Sequence, residues 1–246
     1  MDFMKFSRKP YILAITAILA LPSLQSCLSN DNANLDYSDL EPSAIVTVKP
    51  VVSEEGDYFY FQLNDREKLW PVDNSVLPYD GKEVRAFVKY DETDMPSDVD
   101  PDIYAKAVKV QWMDSILTKK TVACQPDDDK YEISGKYGSD PVEIFNDWMT
   151  NVEDGYLTLH FFTKVGNSGI SHELNLLTGR NADDPYEVFF AHNAHGDGAF
   201  LNGQGIVAFR LEDLPDTEGE TVTLTLKYNS FDGVKSVKFD YRTRED

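Results

Sequence analysis

The residue with the clearest chemistry ahead of it is Cys27. The chain opens with Lys5, Arg8 and Lys9, continues through an apolar run over 11–24, and closes that run with Leu24-Gln25-Ser26-Cys27. A basic start, a short apolar segment and a small residue at the cleavage point are the parts of a secretory leader. The run is too short, and too soon followed by polar sequence, to serve as a membrane-spanning helix. A cysteine directly after the small residue, with leucine three positions before it, has the spacing at which the signal peptidase of bacterial lipoproteins cuts. Acyl chains then join its thiol and its new amino group. Each buried methylene contributes about 0.8 kcal/mol, so one chain holds marginally and two or three hold stably.

The other reactive side chains combine less well. His160, His172, His192 and His195 all lie in the C-terminal half, and a zinc site needs three or four converging ligands. His172-Glu173-Leu174-Asn175-Leu176 begins like the metalloprotease pattern H-E-x-x-H, but Leu176 stands where the second histidine must be. The segment also alternates as a strand does, which sends His172 and Glu173 to opposite faces. His192 and Asp197 flank a glycine-containing loop and are expected to form a structural hydrogen bond, with a metal pair as the alternative. Asp98, Asp100 and Asp102 are spaced like the start of a calcium loop, yet Ile103 and Lys109 occupy the positions where glycine and glutamate are required. That loop and Asp127–Asp129 are expected to be solvated acids. Gly166-Asn167-Ser168-Gly169 falls one residue short of a nucleophile elbow and sits in a hairpin setting rather than strand-turn-helix. Cys124 lacks the basic or helical neighbours that activate a thiol, and no carboxylate pair stands out for glycoside hydrolysis. The expectation is a chain without catalytic residues, cofactor or metal.

Charge narrows the partners. The 246 residues carry 43 acidic and 23 basic side chains, a formal charge of −20. Loss of residues 1–26 removes Asp2, Lys5, Arg8 and Lys9 and leaves −22. Binding to nucleic acid rests on neutralising phosphates with Lys and Arg, so nucleic acid is excluded as a partner. Anionic lipid is disfavoured for the same reason, which leaves membrane attachment to the acyl anchor. Cationic partners remain electrostatically permitted. Once Cys27 is acylated only Cys124 remains, so burial rather than a disulfide must hold the mature fold.

Residues 27–42 follow the leader as a polar tether rich in Asn and Asp. From residue 44 the periodicity is that of strands: 44–52, 58–63, 83–90 and 104–117, with Asp80-Gly81 as a tight-turn signal. Four or more strands in so short a stretch, with no convincing helix, predict a small antiparallel barrel over 43–120. Residues 121–139 are expected to link it to a second domain over 140–246. That domain opens with the best helix candidate, 140–149, where Asp140 stands as a cap and Pro141 at the first helical position. Six strands follow at 156–164, 171–177, 186–193, 205–210, 221–229 and 235–242, which predict a β-sandwich. The fold class is therefore all-β.

Several phrases resemble the NigD-like lipoproteins of Bacteroidetes. In the first half they are Leu69-Trp70-Pro71, the turn into a strand at Asp80-Gly81-Lys82-Glu83-Val84, and the strand from Val110 to Lys119. In the second they are Gly155-Tyr156-Leu157-Thr158-Leu159-His160-Phe161, His172-Glu173-Leu174-Asn175-Leu176 and His192-Asn193-Ala194-His195-Gly196-Asp197. The resemblance spans nearly the whole chain and implies an OB-like barrel followed by a β-sandwich behind a lipoprotein signal. It implies no active site. The family name derives from a gene linked to bacteriocin production, so an immunity role is among its implications.

Three aromatic residues of the barrel remain, Tyr58, Tyr60 and Trp70. Phe59, Phe61 and Leu63 alternate with them and are expected to fill the core. Core packing and barrel closure account for the set; a solvent-facing strip of the same rings would bind a peptide or a glycan. The leading expectation is a non-enzymatic lipoprotein of the outer membrane that acts on an envelope or secreted protein, either in immunity or as an accessory of an envelope assembly. A glycan- or peptide-binding lipoprotein is the alternative, and an envelope hydrolase without a recognisable motif is the third.

Overall fold

In the computed structural model, residues 41–54, 56–124, 130–166 and 169–245 are described. The leader, Cys27, nearly all of the tether and part of the loop at 166–169 lie outside the described residues.

Five strands form the first domain: β1 (Ala44–Val51), β2 (Tyr58–Gln62), β3 (Lys68–Pro71), β4 (Val84–Thr93) and β5 (Lys106–Ser115). They close in the order β1-β2-β3-β5-β4. Neighbours pair antiparallel except β3 and β5, which run parallel and shut the barrel. Val46, Val48, Phe59, Phe61, Leu69, Ala86, Val88 and Val108 fill it. Alternation explains which residues point inward, but along β1 all five residues from Ala44 to Val48 are buried. A strand buried on both faces has a second neighbour, and here that neighbour is the other domain.

The second domain stacks two five-stranded sheets. One consists of β6 (Leu117–Lys120), β13 (Leu201–Arg210), β10 (Tyr156–Val165) and β8 (Val142–Ile144), with β9 (Asn151–Glu153) also on β10. The other runs β15 (Gly233–Tyr241), β14 (Val222–Ser230), β12 (Glu187–Asn193), β11 (Glu173–Thr178) and β7 (Val122–Ala123). Leu157, Leu159 and Phe161 face Leu174, Leu176 and Phe190 across the core, with Phe209 and Leu224 beside them. Full burial of each such side chain contributes about 1.5–3 kcal/mol.

The all-β class and the barrel-then-sandwich order match the sequence expectation. The helix does not fall where expected. Asp140-Pro141 caps nothing helical: the Asp140 carboxylate accepts the Ala194 amide at 2.7 Å, and Val142–Ile144 pair with Phe161–Thr163 of β10. An edge of β10 was available to a Val-Glu-Ile segment, and tertiary pairing overrode the local helix signals. The single α-helix among the described residues is α1 (Lys130–Tyr137). It ends at Gly138, whose amide donates to the Ser134 carbonyl at 2.9 Å with φ at +86°. A Cβ at that position would overlap the His192 carbonyl oxygen and Asn193. Gly138→Ala is therefore expected to cost about 2 kcal/mol or more, measured as a shift in the urea midpoint. An unchanged midpoint would refute it.

The segment between the domains is built into the sandwich. The expected strand over 104–117 breaks at Ile116, whose amide donates to the Arg85 carbonyl. After it, β6 pairs in parallel with β13 and β7 in parallel with β11. The chain thus passes from one sheet to the other within a few residues.

Candidate binding surface

The outer side of β2 and β3 is built by alternation. Phe61 pairs with Leu69 and Gln62 with Lys68, so Phe59, Phe61 and Leu69 enter the core while Tyr58, Tyr60, Lys68 and Trp70 turn outward, each half-buried. Tyr104, just ahead of β5, joins them because the next amide, Ala105, donates to the Lys68 carbonyl at 2.9 Å. The rings touch in series. Tyr58 and Trp70 have centroids 5.4 Å apart at 45°, Trp70 and Tyr104 4.9 Å at 63°, and Tyr60 and Tyr104 5.9 Å at 69°. The Lys68 ammonium sits over the Tyr60 ring, 5.3 Å from its centroid, a cation–π contact. Burial, together with Tyr58 and its hydrogen bond, pushes the Tyr104 phenol well above its ordinary range. Burial and then the nearby Asp154 and Glu83 carboxylates do the same for Tyr60. The three aromatics expected from the sequence are thus brought together, and Tyr104 and Lys68 complete the face.

Tyr60 also borders the junction between the domains. There the barrel presents Ile45, Phe87 and Ile116 to Tyr156 and Ala208 of the sandwich, ringed by charges. Arg85, 0 % exposed, donates to Thr47 Oγ1 at 3.1 Å and to Glu153 Oε2 at 3.2 Å. Lys49 donates to Asp154 Oδ1 at 3.0 Å, while the Asp154 amide donates to Asp65 Oδ1 at 2.7 Å. Glu83 accepts from Tyr156 Oη at 2.5 Å and from Arg244 Nη1 at 2.7 Å. Burial alone would raise the Glu83 carboxyl, but these two donors outweigh it and hold it below the usual range. Apolar contact and paired charge together make one body of the two domains. Sequence reasoning missed this set because each member looks like an ordinary surface charge on an alternating strand. The one local signal is the Asp154-Gly155 turn, with φ of +50° and +72°, which aims Asp154 back at the barrel.

The histidine pair is rearranged. Asp197 hydrogen-bonds His172, not His192: His172 Nε2 lies 3.1 Å from Asp197 Oδ2, and His172 Nδ1 lies 2.9 Å from His192 Nε2. Asp197 also accepts the Gly166 and Gly198 amides, each at 2.8 Å. His172 and His192 are 0 % and 1 % exposed. This chain pins the loop after β10 to the loop after β12 and has no open face for a substrate. A neutral His172 that donates from Nε2 to Asp197 accepts at Nδ1 from His192 Nε2, and the Asp140 backbone stands beside the His192 ring. Burial, followed by the neighbouring His172, lowers the His192 pKa to about 4.

Of the remaining candidates, Asp127–Asp129 lie outside the described residues, and the others fall outside any cluster. Asp100 accepts the Asp102 amide within the exposed loop. His160 sits under Phe145 and lies 2.6 Å from Asp147. Cys124 is buried and packs with Ile133, Leu177 and Ala191. Among the described residues, no group of three or more His, Cys, Asp or Glu is placed to hold a metal ion.

A closed five-stranded OB barrel joined to a two-sheet sandwich defines a two-domain all-β class. The NigD-like N-terminal OB domain matches residues 45–116, and the NigD-like C-terminal beta sandwich domain matches residues 123–241. The chain belongs to the NigD-like family. A structure from Parabacteroides distasonis, provisionally described as a toxin-related protein, is 32% identical, covers 81% of this chain and 92% of its own, and has a TM-score of 0.64. A NigD-like immunity protein from Bacteroides caccae is 19% identical, covering 81% of this chain and 96% of its own at a TM-score of 0.52. A Bacteroides fragilis protein, provisionally described as a lipoprotein, is 11% identical, covering 82% and 98% at 0.51. The last two share the fold alone. No curated protein matches the chain.

Proposed function

We propose that this chain is a lipid-anchored, non-catalytic interaction module of the outer membrane, acting on an envelope or secreted protein. The observation that carries the reading is how the reactive side chains are used. The junction charges and the His172–His192–Asp197 chain are committed to holding the fold, while Tyr58, Tyr60 and Trp70 stay partly exposed over the buried Tyr104 on a rigid body. Such a body presents a shaped surface to a partner without reorganising, which lowers the entropic cost of docking. Descriptions of relatives as an immunity protein, a toxin-related protein and a lipoprotein support the same reading. The acidic balance argues against nucleic acid as the partner.

The anchor is tested through Cys27. Cys27→Ala is expected to abolish incorporation of labelled palmitate and to release the protein from the membrane fraction. Retained label would sink the lipoprotein reading. Mild-detergent purification of the lipidated protein tests the rest: a stoichiometric protein partner is the expected result, and a crosslink-resistant monomer would overturn it.

A further inference from the structure

Resting on the interaction-module reading, we infer that the face of Tyr58, Tyr60 and Trp70, backed by the buried Tyr104, is the docking surface, and that its occupant is a basic peptide segment of the partner, with a lysine or arginine side chain seated on the rings. Five observations bear on that chemistry.

The face already holds a cation. Lys68 lies over Tyr60, so the ring is positioned and oriented to accept an ammonium, and Trp70, the best ring type for this contact, is its neighbour. The ring planes are turned by 45–69° from one another. An extended glycan stacks along rings whose faces run parallel, whereas a cationic side chain needs only one ring face and is served by tilted rings around it. Acidic residues stand at the rim. Asp57 directly precedes Tyr58, Asp73 directly precedes Asn74, whose carbonyl accepts the Phe59 amide at 3.2 Å, and Asp102 lies two residues before Tyr104; all three are exposed. The whole chain, at −20, adds a field that draws basic partners toward it and repels acidic ones. Finally, β2, β3 and β5 are hydrogen-bonded on both sides within the closed barrel. The rings project from the sheet face rather than from a strand edge, so an occupant seated on them is recognised by its side chains.

The test uses the mature soluble chain and a fluorescein-labelled peptide that alternates lysine and arginine with glycine and serine, read by anisotropy at physiological ionic strength. Trp70→Ala leaves the net charge unchanged and is expected to weaken binding by about tenfold. Lys68→Met removes the internal competitor from Tyr60 and is expected to tighten binding severalfold relative to Lys164→Met, which makes the same charge change on the sandwich. If Trp70→Ala lowers the melting temperature, Lys68→Met and Tyr58→Ala decide the question. Binding that follows net charge alone, with these variants equal to their controls, overturns the inference. Binding of a neutral glucan oligosaccharide in place of the peptide, lost in Trp70→Ala, overturns the cationic occupant. In cells, a photo-crosslinking residue at position 68 is expected to capture the partner. Capture only from positions on the sandwich would overturn this surface and leave the module reading standing, and no capture from either domain would overturn both.

Discussion

Replacing Arg85 by alanine is expected to lower stability by about 3 kcal/mol, from the cavity left by a wholly buried side chain and the hydrogen bonds lost with it. Arg85 is wholly enclosed between barrel and sandwich, and its guanidinium also lies 5.9 Å from the Tyr156 ring centroid. Truncation leaves Thr47 Oγ1 without its donor and Glu153 without its cation. Burial already pushes the Glu153 carboxyl upward, with Arg85 opposing that shift, so the ionised acid is disfavoured once Arg85 is gone. The melting temperature is expected to fall by roughly 10 °C for a domain pair of this size. The separation of effects is sharper in a double variant. Arg85→Met with Glu153→Gln keeps the volume and removes both charges, and buried pairs replaced in this way often lose little. The double variant is expected to melt well above Arg85→Ala. Equal melting of the two would show that packing, not the unpaired charge, dominates. Trp112 packs at the same junction, so its fluorescence reports whether the domains separate before either unfolds.

The second large effect is a pH dependence set by His192. Its folded pKa of about 4 lies below the ordinary value of 6.5, so the folded state binds the proton less well than the unfolded chain. The stability contributed by keeping His192 neutral is therefore fully present above pH 6.5. It is lost as pH falls from 6.5 toward 4, and the loss amounts to about 3 kcal/mol. The groups that bear on it are His172, which lowers the pKa further, Asp140, which raises it, and His195, which lowers it. His192→Gln keeps a side-chain donor for His172 and does not titrate. Urea midpoints of the two proteins are expected to converge as pH drops from neutral to about 4.5, with wild type losing ground. Parallel curves would show that His192 does not carry the acid sensitivity.

Much of this molecule was legible from its residues. Period-two alternation through 44–52 announced a strand, although the fold buries both faces of its first five residues, and Asp80-Gly81 marked a turn for which left-handed backbone is needed. Alternation also separated Tyr58 and Tyr60 from Phe59 and Phe61. The basic, apolar, small-then-cysteine order that predicts a leader and an anchor is a linear signal, read by enzymes from the extended chain. What only the tertiary structure decided were encounters between residues distant in sequence. Arg85 meets Glu153 across 68 positions, and Asp197 takes His172 in place of His192 across 25. The segment at 142–144 became a strand because β10 offered an unpaired edge. Local spacing fixes which way a side chain points relative to its own strand, but hydrogen bonds and ion pairs form between whatever the sheet order brings within about 3 Å. That order is set by the burial of the whole apolar set, and no short window of the sequence contains it.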